Sequence, residues 1–120
     1  MKMQTRILIV DDDARFRALA RTVLETSRYT ITAEAAHGAQ ALAALHRVSP
    51  DAALVDVQLP DIDGLTLARR LHQTDGSLRI VLTSTDPTLV APAALAQSGA
   101  VAFVRKDKLA ITDLTPLLGD

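Results

Sequence analysis

The 120-residue chain contains no cysteine and no tryptophan, and its aromatic residues are Phe16, Tyr29 and Phe103 alone. Without cysteine, a disulfide framework, a thiolate metal site and a thiol nucleophile are all excluded. Neither sign of charge dominates: 13 Lys/Arg stand against 14 Asp/Glu, for a formal net charge of -1. No dense basic stripe is present, so direct nucleic-acid binding is not expected. Long apolar runs are missing too. Lys2 and Arg6 precede only the four apolar residues 7–10 before an acidic run, too few for a signal-peptide core or a spanning helix. A cytoplasmic protein with no membrane association is the expectation.

What is present reads as one soluble globular domain over residues 1–120, with 48% hydrophobic and 22% charged residues and a chain long enough to bury roughly two-thirds of its unfolded surface. Short apolar runs recur at 6–10, 29–33, 52–56, 78–83 and 101–104. Between them lie helical spacings: Phe16, Leu19, Ala20, Val23 and Leu24 in the first, Ala41, Leu42, Leu45 and Val48 in the second, Leu65, Leu67, Ala68 and Leu71 in the third. Alternating strands and helices, with strands apolar throughout, predict an α/β fold: a parallel five-stranded sheet, doubly wound, with helices on both faces. Pro92 and Pro116 fit only near a first helical turn, which makes the fourth and fifth helices short.

The polar residues fall in one place. Asp11 and Asp12 follow the first strand, Asp56 closes the third, Thr83 closes the fourth and Lys106 follows the fifth. In open α/β sheets ligands bind at that edge, where the strand order reverses; in a flavodoxin-like order, 2-1-3-4-5, this is between the first and third strands. Carboxylates at neighbouring strand ends approach to roughly 5 Å and repel by about 3 kcal/mol per pair at an effective dielectric near 20. Such a group needs a cation, and an all-oxygen donor set suits Mg²⁺. Capping is the plainer explanation of an acidic run before a helix, and Asp13 is expected to serve there. Asp56 is harder to explain by capping, because a bare carboxylate ending the buried run AALVD needs a partner. His37, His46 and His72 have no metal-like spacing, and Asp61 and Asp63 read as turn residues.

The stretches ILIVDDDARFR, AALVDVQLPDIDGL, RIVLTS and GAVAFVRK together resemble the response-regulator receiver domain of two-component phosphorelay signalling, over nearly the whole chain. Asp56, Pro60 and Gly64 reproduce its Asp-x-x-x-Pro-x-x-x-Gly spacing. The resemblance implies that Asp56 is the phosphoacceptor for a histidine kinase or histidine phosphotransfer protein, and that Asp11, Asp12, Asp56 and the backbone carbonyl of Gln58 hold Mg²⁺. It implies that Lys106 and Thr83 contact phosphoryl oxygens, that Thr83 and Phe103 form a switch, and that Gln58 and Thr85 tune hydrolysis of the acyl phosphate. It further implies a non-enzymatic signalling domain, at most slowly self-dephosphorylating, whose α4-β5-α5 face meets a downstream protein or a second copy.

Two departures stand out: Asp107 follows Lys106 where many members carry proline, and the fifth helix is short. The start at Met1 favours a stand-alone receiver over one excised from a longer chain. One rival reading is a phosphatase of the haloacid-dehalogenase type with Asp11 as nucleophile and Asp13 as acid/base. It leaves Asp56 unexplained and lacks a second acidic pair beyond the lysine. A nucleotide-binding module of the same sheet class would carry a glycine-rich first loop, where this chain has three aspartates.

Overall fold

A computed structural model describes residues 4–119. Five strands, β1 (Arg6–Val10), β2 (Thr30–Ala35), β3 (Ala52–Asp56), β4 (Arg79–Ser84) and β5 (Ala102–Arg105), alternate with α1 (Ala14–Thr26), α2 (Gly38–Val48), α3 (Gly64–Thr74), α4 (Pro92–Ser98) and α5 (Thr115–Leu118). Short 3₁₀ turns occupy Pro87–Leu89 and Lys106–Ile111. The strands form one parallel sheet in the order β2-β1-β3-β4-β5, as expected from the alternation.

The two-residue period of a strand divides β1 and β3 between two cores. Leu8, Val10, Ala53 and Val55 face one way and pack with Leu45 of α2 and Leu67 and Leu71 of α3. Ile7, Ile9 and Leu54 face the other, against Phe16, Ala20 and Leu24 of α1 and Leu118 of α5. Helices thus cover both faces. Truncating one such fully buried leucine to alanine costs about 2–5 kcal/mol.

Differences from the sequence reading concern the edges. In α1 the buried stripe is Phe16, Ala20 and Leu24, and Leu19 is 52% exposed although its spacing fits the apolar pattern. Edge strand β2 runs one residue later at its start and two at its end than its apolar run, and much of it is half-exposed. Pro92 and Pro116 do stand in first turns, and α4 and α5 have 7 and 4 residues. The 3₁₀ turn after β5 carried no apolar periodicity to announce it.

Capping fixes where α1 and α3 begin. Asp13 accepts from the N–H groups of Arg15 (2.9 Å) and Phe16 (3.4 Å), and Asp63 from Thr66 N–H (2.9 Å). Both confirm turn or cap roles. Asp61 does more than shape its own turn: it reaches the start of α2, accepting from Gly38 N (2.8 Å) and Ala39 N (3.1 Å). Gly64 explains the motif glycine physically. Its N–H donates to the Val57 carbonyl at 2.7 Å, and a Cβ there would overlap the Asp56 carbonyl oxygen and lie 2.6 Å from Val57 Cα. Helix α3 can therefore start against the end of β3 only with no side chain at 64.

Gly64→Ala should accordingly lower the melting temperature by roughly 10 °C, equivalent to about 3 kcal/mol. Gly76→Ala is the control, since a Cβ there would come no nearer than 3.9 Å to the His72 carbonyl oxygen. Thermal unfolding of the two variants side by side checks this, and equal shifts would contradict it.

Candidate functional site

Sheet register converges the polar residues. β1 and β3 pair through Val10 and Val55, and β3 and β4 pair through Asp56 and Thr83. Asp11 and Asp56 therefore lie one step past neighbouring strand partners at the carboxyl edge. Asp11 is 1% exposed, Asp56 5% and Thr83 0%, while Asp12 is exposed. Lys106, leaving β5, reaches back with a side chain only 13% exposed.

The two buried carboxylates are held alike. Asp11 Oδ1 accepts from the N–H of Asp13 (2.9 Å) and Asp56 Oδ1 from the N–H of Gln58 (3.1 Å). The remaining Oδ2 atoms both face the Lys106 ammonium, at 2.7 Å from Asp11 and 3.3 Å from Asp56. Asp12 has no hydrogen-bond or ion-pair partner among the described residues. Each aspartate of the acidic run thus has its own place: Asp11 on the lysine, Asp12 open to the solvent side, Asp13 on the helix cap.

Charge decides what the cluster can hold. Asp11, Asp12 and Asp56 each offer a carboxylate oxygen, all within 4.8 Å of one another. At that separation each pair repels by about 3 kcal/mol at an effective dielectric near 20. One lysine offsets one of three negative charges, and the residue of two matches a divalent cation. The donors are all oxygen and one carboxylate is unpartnered, so the set fits a hard ion such as Mg²⁺.

The site's protonation follows from the same contacts. Burial pushes the Asp56 carboxyl above the usual aspartate value; the Gln58 N–H pulls it down, nearby Asp11 raises it and Lys106 lowers it, with the rise prevailing. For Lys106, burial acts to lower the ammonium's value, but the bond to Asp11 and the charges of Asp11 and Asp56 outweigh it and the net shift is upward. Lys106 is therefore a fixed cation at neutral pH.

Other candidates lie as follows. Thr83 Oγ1 is buried without a hydrogen-bond partner among the described residues. Phe103, on β5, is half-buried against the α2/α3-side core. Gln58 and Thr85 are exposed near the strand ends. His37 caps α2, its Nδ1 accepting from Gln40 N–H, and His46 and His72 are exposed. Two site neighbours escaped the sequence reading. Arg17 Nη1 donates to the Asp11 carbonyl at 2.6 Å while its Nε binds Glu34 at 3.0 Å, and Phe16 puts its ring 4.4 Å from Lys106 Nζ. Their positions one turn into α1, beside the acidic loop, were the available signal.

Because the Asp56 carboxyl is raised in the fold, ionising it costs more folded than unfolded. Its contribution to stability falls as pH rises from below the unfolded aspartate value through the folded one. Without divalent cation, Asp56→Asn should melt a few degrees higher than wild type at pH 7, and the gap should close as pH drops toward 4. Melting curves across that range test it; a variant less stable at pH 7 would contradict the sign.

Comparison with known proteins agrees with this geometry. The family described as response regulator receiver domain matches residues 7–115. The chemotaxis protein CheY of Bacillus subtilis is 38% identical over 82 residues, 68% of each chain. The response regulator MprA of Mycobacterium ulcerans is 43% identical over 86 residues, covering 70% of this chain and 36% of MprA. A Pseudomonas aeruginosa protein with a transcriptional-regulator name is 40% identical, and the chain spans about half, 49%, of its length. Among solved structures, the signal receiver domain of NarL from Mycobacterium tuberculosis superposes with a TM-score of 0.83 at 28% identity, over 99% of this chain and all of that one.

Proposed function

This chain belongs to the response-regulator receiver domains, a family of phosphoacceptor signalling domains, and from that premise we propose that Asp56 is its phosphoacceptor. The observation that carries the proposal is the shared ammonium: Lys106 lies between Asp56 and Asp11 at the sheet edge where an incoming phosphoryl group would sit. Receiver domains in general accept phosphoryl groups from histidine kinases or phosphotransfer proteins and bind Mg²⁺ in an acidic pocket; Asp11, Asp12, Asp56 and the Gln58 carbonyl would hold the ion here. When bound, Mg²⁺ would neutralise charge on the phosphoryl oxygens.

The chain's own groups do the rest. The Gln58 N–H fixes one oxygen of Asp56 and leaves Oδ2 to attack phosphorus. A P–O bond forms to Asp56 as the P–N bond to the donor imidazole breaks, its electron pair staying with the imidazole. The nucleophile is already an anion, so no general base is required, and the barrier falls through positioning and charge neutralisation. Lys106 would exchange its Asp56 contact for a phosphoryl oxygen. The unpartnered Thr83 hydroxyl would donate to another, and its shift would open space for Phe103 to turn inward, altering the surface around α4, β5 and α5.

Nothing supports the phosphatase alternative. Asp13 is committed to the α1 cap and is not free as an acid/base, and the family matched over residues 7–115 is that of receiver domains. The receiver match instead makes the chain a signalling domain; slow self-dephosphorylation would be its only chemistry. We place it in the cytoplasm, with a kinase or phosphotransfer donor and a downstream protein or second copy as partners. No helix among the described residues is long and apolar enough to cross a membrane.

Incubation with Mg²⁺ and a small acyl-phosphate donor, read by intact mass, should add one phosphoryl group to wild type and none to Asp56→Asn. Lys106→Ala should slow the gain by roughly a hundredfold, the scale of removing one preorganised charge-stabilising donor. Equal phosphorylation of wild type and Asp56→Asn would place the acceptor elsewhere.

A further inference from the structure

A lysine ammonium carries three N–H donors. In this protein the ammonium donates to Asp56 Oδ2 at 3.3 Å and forms an ion pair with Asp11 Oδ2 at 2.7 Å. The Nζ also stands over the ring of Phe16, 4.4 Å from its centroid, well inside the reach of a cation–π interaction. Phe16 is 8% exposed and the lysine side chain 13%, so the contact is shielded from water and from screening by salt.

From this geometry we infer that Phe16 is a positioning residue for phosphoryl transfer, its ring face holding the Lys106 ammonium over the site. The inference rests on the reading of Lys106 as the phosphoryl-binding amine. The physical advantage is directional. To engage an incoming phosphoryl oxygen, Lys106 must loosen its hold on a carboxylate without swinging into solvent. A ring face attracts the cation yet competes for no acceptor, so it keeps the ammonium in place while the other contacts exchange. An aliphatic side chain would fill the same core volume and leave the ammonium beside a surface that attracts no charge.

The local sequence places the ring. Asp13 starts α1 by accepting from Phe16 N–H itself, and Phe16 is followed at i+4 and i+8 by Ala20 and Leu24, buried in the same core. Simple core packing is the competing account of the residue. It predicts that leucine serves as well as phenylalanine and that Lys106 keeps its place.

Three measurements separate these accounts. In wild type without donor, NMR should find the Lys106 ε-methylene protons shifted upfield of the ordinary lysine value by the Phe16 ring current. Phe16→Leu should lose that shift and slow phosphorylation by the acyl-phosphate donor roughly three- to tenfold, whereas Phe16→Tyr, which keeps the π face, should retain both within about twofold. Unshifted Lys106 protons in wild type, or a Leu variant phosphorylated at the wild-type rate, would overturn the inference. If neither wild type nor variants gain phosphate while the ring-current shift is present, the reading of Asp56 and Lys106 fails and the inference with it.

Discussion

One ammonium group placed between two buried carboxylates governs the rest of this site. Lys106 leaves β5, at the edge of the sheet, yet contacts Asp11 after β1 and Asp56 at the end of β3. That reach requires the parallel order in which β3 and β4 intervene and all carboxyl ends share one edge. It also requires a chain that turns tightly right after β5, which the 3₁₀ turn at Lys106–Ile111 provides. Burying either carboxylate without the lysine would leave an uncompensated charge, a far larger loss than any exposed ion pair represents.

The site is built against stability, and the sheet beneath it compensates. Three carboxylates within 4.8 Å repel, and the single lysine leaves two negative charges unbalanced. The strands that hold them are among the most completely buried parts of the molecule, with Ile7, Leu8, Ile9, Ala52, Ala53 and Val55 all at 0% exposure. This rigid floor keeps like charges together in a state poised to gain from a cation. Surface ion pairs such as Arg105–Asp107, with side chains 46% and 59% exposed, add little by comparison.

Much of this was legible in the sequence because it depends on local pattern. The apolar run ending in Asp56 marked a buried strand closed by a charge, and strands apolar throughout marked a sheet covered by helices on both faces. Asp13 read as a cap because an aspartate before an apolar helical period has a local partner in its own backbone. What the sequence concealed is non-local. Phe16 read as part of the apolar helical period and Arg17 drew no reading, since nothing in their spacing tells which loop lies above α1. Leu19 fitted the apolar period, but α1 is buried along the stripe Phe16, Ala20 and Leu24 and leaves Leu19 on its exposed side. Asp61 read as a turn residue because its partners, Gly38 and Ala39, belong to another helix.

The central claim is that this acidic edge is an anionic cage short of one divalent charge, with Asp12 as its open side. Calorimetric titration of Mg²⁺ into wild type and Asp12→Asn tests that most directly, because Asp12 is exposed and makes no hydrogen bond or ion pair among the described residues. The account predicts one ion per wild-type chain and a loss of at least tenfold in affinity in the variant, the order expected when a carboxylate ligand becomes neutral. Absence of saturable binding in wild type, or equal affinity in both proteins, would contradict it.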